Sequence, residues 1–301
     1  MRKLNCGLPA ALVVCFMFGL VRTDAPCAGD REMKPDRVIA AHLESIGPAE
    51  ILAGLKNRGI RGTSTVHFIL GGTGNMKGRA AIVSAGRNLA IRLMYGGAEY
   101  PEEYFTFNGA EVQVRTIAPG QRSPLGDFLF RYNQVIQEGI LGGVYSLAWP
   151  LLSGGRAKDL FKYDRAKIDG NELHVLEYRA RPALNDIKVK LYFDGSFRHV
   201  LTEYRLRVRG EQPLQAGSTV TRGATAAVTR DAGIQDPVMD SHYVLIEKFE
   251  DFKKVDGMTL PHAYTLEYSI EGQGSTFYIE LPKLDPDTMD FENDFPESIE
   301  G

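Results

Sequence analysis

Apolar and polar side chains alternate along much of this chain with a period of two, the spacing that sends successive side chains to opposite faces of a β-strand. In TEYRLRVR, Thr202, Tyr204, Leu206 and Val208 point one way, while Glu203, Arg205, Arg207 and Arg209 point the other. AYTLEYSIE repeats the pattern: Tyr264, Leu266, Tyr268 and Ile270 oppose Thr265, Glu267, Ser269 and Glu271. Similar runs lie near 63–70, 79–95, 103–107, 110–116, 171–179, 186–193, 242–249 and 274–281. They predict about eleven antiparallel strands, with hairpin signals at Asp194-Gly195 and at the DGN of 169–171. Strands with one apolar and one polar face belong to an antiparallel sheet solvated on one side. A sheet of that width does not stay flat. The predicted fold class is α+β, mainly antiparallel β: a curled, unclosed barrel of about eleven strands with helices covering its concave apolar face.

Elsewhere the period changes to that of a helix. PDRVIAAHLESIG places Ile39, Leu43 and Ile46 on one face before Gly47 stops the run, and PAEILAGL follows as a second short helix. In SPLGDFLFRYNQVIQEG, Ser123 is a cap, Pro124 takes the first helical position, and Leu125, Phe128, Leu129, Tyr132, Val135 and Ile136 form the apolar face up to Gly139. The next stretch, GILGGVYSLAWPLLSGG at 139–155, has no charged side chain in seventeen positions and holds Trp149, the chain's single tryptophan. Read as a continuing helix, it puts Ile140, Leu141, Val144, Leu147, Ala148 and Leu151 on one face and Gly142, Gly143, Ser146 and Pro150 on the other. A helix with no charged face is covered on both sides or touches something besides its own sheet.

The ends read differently. Arg2 and Lys3, an apolar stretch from Leu8 to Val21 and small residues after it predict a secretory signal peptide over 1–28. Cys6 and Cys15 leave with it, so the mature chain keeps at most Cys27 and no internal disulfide. The folded domain is predicted over 29–285, with a helical insert at 123–155 and a Gly-, Ala- and Thr-rich loop at 210–236. An acidic tail at 286–301 closes the sequence; from Leu284 on there are seven acids and no base.

Composition removes several functions. With 24% charged residues and a net charge of -3, the chain lacks the basic footprint of a nucleic-acid binder. The glycines of GGTGNMKG (71–78) do not have dinucleotide-loop spacing and read as a hairpin turn, and there is no G-x-S-x-G elbow or G-K-[ST] loop. The six histidines form no close ligand pair and are expected on the surface or at strand ends. No catalytic residue, metal site or cofactor is expected, and the arginine stripe Arg205, Arg207, Arg209 reads as a solvated strand face. The glycines and Pro150 argue against a membrane span at 139–155, so none is expected in the mature chain.

ESIGPAEILAGLKNRGIRGTSTVHF, YFTFNGAEVQV, VKLYFDGSFRHVLTEYRLRV and above all FEDFKKVDGMTLPHAYTLEY resemble the outer-membrane-lipoprotein-sorting fold of LolA, LolB and RseB over residues 36–285. The resemblance implies an unclosed antiparallel barrel, covered by helices, that holds a hydrophobic cavity in the periplasm. The family's cargo-gating arginine matches no single position here, and no such role is carried over. The expected function is that of a non-enzymatic periplasmic carrier or binding protein for a lipid, acyl chain or lipoprotein. The alternative is an envelope sensor or interaction module that holds a peptide or an envelope protein in the same groove. On either reading the insert supplies the lid or wall through Phe128, Leu129, Tyr132, Ile136, Ile140, Leu141, Val144, Leu147, Trp149 and Leu151. The sheet supplies Tyr204, Leu206, Val208, Tyr264, Leu266 and Tyr268. Anchoring of the exported chain through an acylated Cys27 is the alternative to a free periplasmic protein.

Overall fold

The computed structural model describes residues 33–68, 74–98, 100–116, 121–153, 158–179, 187–208, 241–270 and 273–283. The expected signal peptide with Cys27, the 210–236 loop and the 286–301 tail lie outside the described residues.

Two helices come first. α1 (Pro35–Ile46) starts on Pro35, which is pre-set for the first turn, and buries Val38, Ile39, His42 and Ile46. α2 (Ala49–Gly54) buries no residue. Five strands follow: β1 (Asn57–Phe68), β2 (Asn75–Ala85), β3 (Asn88–Met94), β4 (Glu102–Phe107) and β5 (Val112–Val114). After the insert come β6 (Phe161–Ile168), β7 (Asn171–Tyr178), β8 (Lys188–Phe193), β9 (His199–Val208) and β10 (Ser241–Glu250). The series ends with β11 (Lys253–Val255), β12 (Met258–Leu260), β13 (Ala263–Ile270) and β14 (Gln273–Lys283).

Twelve of these strands form one antiparallel sheet in the order β5-β4-β3-β2-β1-β14-β13-β10-β9-β8-β7-β6, and β11 and β12 make a separate hairpin. β5 and β6 each have a partner on one side, so the sheet is open. The described residues thus hold fourteen strands where about eleven were expected. The run at 79–95 is two strands joined at Gly86, whose φ of +54° turns the chain back. In β6, charges at Lys162, Asp164, Arg165 and Lys167 hide the alternation, and β11 and β12 are three residues each. The expected DGN hairpin is present, with Asp169 and Gly170 both at positive φ, as a tight turn between right-twisted strands requires.

The insert departs further from expectation. Ser123 caps α3 (Pro124–Arg131) by accepting from the Gly126 N–H at 2.8 Å, as its sequence predicts. α3 then stops, α4 (Gln134–Gln137) is a single turn, and the expected helix over 139–155 does not form. Gly142 and Gly143 follow each other at φ +82° and +50°, a left-handed pair that no α-helix contains. The chain proceeds through 3-10 turns at Gly143–Tyr145 and Pro150–Ser153.

Gly139 sets this path: its φ is +72°, and a Cβ there would strike the Ala148 carbonyl. Gly139→Ala is expected to lower the unfolding free energy by about 2 kcal/mol or more, from left-handed strain and displaced backbone. Urea unfolding midpoints measure this; an unchanged midpoint would mean that the turn is not held in this shape.

Candidate functional site

The topology places the uncharged segment. β5 and β6 are the two edges of the sheet, and the insert is the connection between them. It therefore passes from one edge to the other, past strands that would span about 53 Å if laid flat. Its contacts follow that route. The Phe128 ring lies 5.4 Å from Tyr268 and 6.2 Å from Tyr243, centroid to centroid. Glu138 accepts from the Tyr178 hydroxyl of β7 at 3.0 Å. The Gly142 N–H donates to Glu247 of β10 at 2.7 Å, and the Leu147 N–H to Ser84 of β2 at 2.9 Å. Arg58 of β1 donates to the Val144 carbonyl, and the Tyr145 hydroxyl to the Pro261 carbonyl at 2.9 Å. Residues 138 and 147 thus reach β7 and β2, strands that stand seven places apart in the sheet.

Of the sixteen residues expected to line a cavity, thirteen are buried members of one hydrophobic cluster. From the insert these are Phe128, Leu129, Ile136, Ile140, Leu141, Val144, Trp149 and Leu151; from the sheet, Tyr204, Leu206, Tyr264, Leu266 and Tyr268. Tyr132 and Val208 are half-buried and pack against that cluster, and Leu147 is half-buried without joining it.

Polar groups that the expectation omitted sit among them. Glu247 is fully buried at the centre: Oε1 accepts from the Gly142 N–H and from the Tyr264 hydroxyl at 2.5 Å, and Oε2 from the Tyr204 hydroxyl at 2.5 Å. Burial pushes its carboxyl up to about 7, against the downward pull of those three donors. Glu103, which accepts from the Tyr100 hydroxyl, is likewise pushed up to about 7 by burial. Arg58 is pushed down to about 10 by burial; among the described residues it faces no carboxylate, and its second terminal nitrogen lies 3.7 Å from the Met258 sulfur.

The histidines depart from the expectation in part: His42, His199 and His262 are buried, His42 within α1, while His199 does stand at a strand end, as the first residue of β9. His42 and His199 flank Trp149, each with its ring centroid 4.9 Å from the indole. Burial lowers His42 to about 4 and His199 well below its ordinary value, so both rings are neutral. His42 Nε2, His199 Nδ1, Trp149 Nε1 and Ser146 Oγ have no partner among the described residues. In this quarter of the core, hydrogen-bonding capacity remains unused.

The sequence did carry a signal for the buried charges. Glu247 is in phase with Leu245 and Phe249, Glu103 with Phe105 and Phe107, and Arg58 with Ile60, so each stands on the apolar face of its strand. A charge in phase with the apolar side of a strand marks a buried polar group rather than a solvated one.

Where the insert reaches the helices there is a cleft of about 270 Å³, lined by Leu43, Gly47, Ala49, Leu52, Ala53 and Leu152, with Glu44 at its side. Among the described residues no three His, Cys, Asp or Glu side chains group as metal ligands, and no helix is long and apolar enough to cross a membrane.

The chain matches no protein-family model and no curated protein. It is similar to the crystal structure of a LolA superfamily protein from Nitrosomonas europaea, with 10% identity, 83% of this chain and 92% of that one covered, and a TM-score of 0.42. An outer membrane lipoprotein-sorting protein domain from Vibrio parahaemolyticus is 10% identical over 87% of this chain and 95% of its own, with a TM-score of 0.41. A DUF1329 family protein from Desulfovibrio piger is 10% identical over 85% and 95%, with a TM-score of 0.38.

The carboxyl groups give the fold a pH dependence of definite sign. A carboxyl whose folded pKa is raised binds its proton more tightly in the folded chain, so its contribution is complete below 4.5 and is lost as pH rises through about 7. His42 and His199, lowered by burial, act oppositely and only below 6.5. Stability is therefore expected to fall as pH rises from 6.5 to about 7, and Glu247→Gln to remove one carboxyl's share of that slope. Denaturant titrations across this range measure it; an unchanged slope in Glu247→Gln would show that Glu247 stays ionised in the fold.

Proposed function

We propose that this chain is an exported, non-enzymatic carrier for a lipid, acyl chain or lipoprotein, and that residues 139–152 occupy the space its cargo takes. The observation that carries this reading is how the segment is held. An uncharged stretch of turns lies among the buried side chains of the sheet, attached through Gly142, Val144, Tyr145 and Leu147 by single hydrogen bonds. Those are contacts that a guest or water can replace. The expected lining residues of insert and sheet are, on this reading, the walls that part when cargo enters. A sheet wrapped around the insert gives that space its concave form, since Glu138 and Leu147 touch strands seven places apart.

An acyl chain gains about 0.8 kcal/mol per buried methylene, so a chain of ordinary length can exchange with the leucine, valine and tryptophan side chains it displaces. The equilibrium between segment-in and segment-out states then sets affinity. The cleft beside Leu43, Leu52 and Leu152 is the entry, because there the insert meets the helices at an apolar opening. The unused hydrogen-bonding atoms of His42, Ser146, Trp149 and His199 suit the polar end of an amphiphile once Trp149 moves. Export through the 1–28 leader, with residues 29–285 as the folded unit, sets the carrier in the periplasm.

A reversible lock tests displacement. Ser84→Cys with Leu147→Cys puts one thiol where the Ser84 hydroxyl now accepts from the Leu147 backbone N–H at 2.9 Å, and the other on the side chain of the residue that donates. A fluorescent fatty acid should bind the wild type saturably and change Trp149 emission. The oxidised double variant should lose that uptake, and the reduced one regain it. No saturable binding to the wild type would sink the carrier reading; equal binding to the locked form would place the ligand elsewhere.

A further inference from the structure

Two buried rings decide which polar end an amphiphile can bring to the space beneath the insert, a step that rests on the carrier reading. His42 of α1 and His199 of β9 are each 1% exposed. Neither belongs to the 139–152 segment, so both stay in the wall when that segment is displaced. Their centroids are 6.3 Å apart, and Trp149 of the segment lies 4.9 Å from each. The segment also closes over His199 at Gly143, where a Cβ would stand 3.0 Å from His199 Nδ1. Leu43, the residue after His42, lines the cleft where the insert meets the helices, so this part of the wall borders the proposed entry.

Carbonyl groups fix where the hydrogen sits on each ring. His42 Nδ1 lies 2.8 Å from the Phe197 carbonyl oxygen, which can only accept, so Nδ1 is the protonated nitrogen. His199 Nε2 lies 3.1 Å from the Leu201 carbonyl and 2.9 Å from the Thr202 hydroxyl, and the carbonyl again requires the hydrogen on that nitrogen. Burial keeps both rings neutral, and a neutral imidazole with one N–H offers a lone pair on its other nitrogen. Those other nitrogens, His42 Nε2 and His199 Nδ1, have no partner among the described residues. Together they accept twice and donate nothing. Their neighbours include aromatic carbon: Phe193 is 5.0 Å from His42 and 5.4 Å from His199, and Phe249 is 4.6 Å from His199. A carboxylate or phosphate oxygen would also only accept, so it would leave both lone pairs unfilled and bury its charge against those rings. A hydroxyl fills a lone pair, and the rings are close enough for neighbouring hydroxyls of one head to reach both.

We propose that the cargo carries an uncharged, hydroxyl-bearing head of the acylglycerol type, whose hydroxyls donate to His42 Nε2 and His199 Nδ1 while its chain takes the place of residues 139–152. Fatty acid anions enter the same space, held by their chain alone. The rings act as a filter on the head because each is fixed in one tautomer by a backbone carbonyl, which a bound ligand leaves in place.

Three probes with one decanoyl chain test this on the full protein. Monodecanoylglycerol donates through its hydroxyls, methyl decanoate is uncharged and only accepts, and decanoate at about pH 8 is an anion that only accepts. Displacement of a fluorescent fatty acid measures each affinity. Monodecanoylglycerol is expected to bind about tenfold tighter than either of the others, the worth of one to two filled hydrogen bonds. Equal affinity for monodecanoylglycerol and methyl decanoate overturns the head assignment and leaves the carrier reading standing. Decanoate binding as tightly as monodecanoylglycerol overturns it as well, since the head is then drawn to a cation such as Arg58. If neither the fluorescent acid nor any probe binds, both readings fail. His42→Phe and His199→Phe each keep a planar ring and remove one lone pair, and each should narrow the ratio of glycerol to ester affinity several-fold; an unchanged ratio in either folded variant overturns the proposal. Nitrogen-15 NMR of the wild type needs no substitution: His42 should be protonated on Nδ1 and His199 on Nε2, and the two bare nitrogens should shift when monodecanoylglycerol is added. The opposite tautomers, or bare nitrogens that ignore the probe, overturn the proposal too.

Discussion

The structure depends on a connection that has to travel from one edge of a twelve-stranded sheet to the other. β5 and β6 are consecutive strands in the sequence and the two most distant in the sheet. A link over the polar face would remain in water and could be hydrophilic. This one runs among the buried side chains, and its composition follows: from Gly139 through Leu152 no residue is charged, and Ile140, Leu141, Val144, Tyr145, Trp149 and Leu151 are nearly inaccessible to solvent. A charge-free stretch in an otherwise well-charged chain is therefore a consequence of topology. Leu147, Ala148, Pro150 and Leu152 are half-buried and no residue from Gly139 through Leu152 is exposed, which leaves little solvated side on which to place a charge.

Burying such a link raises the question of where its backbone hydrogen bonds go, because it forms no continuous helix to satisfy them internally. The sheet answers with polar side chains carried on its apolar face. Ser84 accepts from Leu147, Glu247 from Gly142, and Arg58 donates to Val144. Each has a cost in desolvation, visible in the raised carboxyl of Glu247 and the lowered guanidinium of Arg58. Left unmade, each backbone group would cost about 1–3 kcal/mol. Buried charges that look anomalous strand by strand are thus the complements of a backbone that crosses them.

Much of the sheet was legible in the chain. Tyr204, Leu206, Tyr264, Leu266 and Tyr268 announce their buried face through strict alternation, and Ser123 and Pro124 mark the start of α3 by local capping chemistry that needs no tertiary context. The insert beyond Gly139 was misread for a physical reason. A helical period is informative only when one side of a segment is wet; here both sides are covered, so apolar residues occur at every spacing and a period of 3.6 can be drawn through them. Paired left-handed glycines at 142 and 143 were the better guide, since backbone geometry does not depend on which side is solvated. Pairing between β1 and β14, strands far apart in sequence, leaves no local trace, and with it the identity of the edges, and hence the route of the insert, stayed hidden. His42 and His199 were missed for the same reason, since they meet at Trp149 only once α1, the start of β9 and the insert converge.

The way the segment is satisfied also constrains what can replace it. A helix carries its hydrogen bonds with it and can lift off a surface intact. The 139–152 turns cannot, because the N–H groups of Gly142 and Leu147 and the carbonyl of Val144 are completed by the sheet. Withdrawing the segment takes the Val144 carbonyl from Arg58 and one donor each from Glu247 and Ser84, which keep the Tyr204 and Tyr264 hydroxyls and the Asn88 carbonyl; a purely hydrocarbon guest would leave those positions unfilled, at a cost of about 1–3 kcal/mol for each bond not replaced. An amphiphile brings acceptors and donors of its own, or the water that accompanies its polar end, along with methylenes to refill the apolar volume. On the proposed carrier reading, the polar groups that fasten the resting segment are therefore the same groups that select against a cargo without a head.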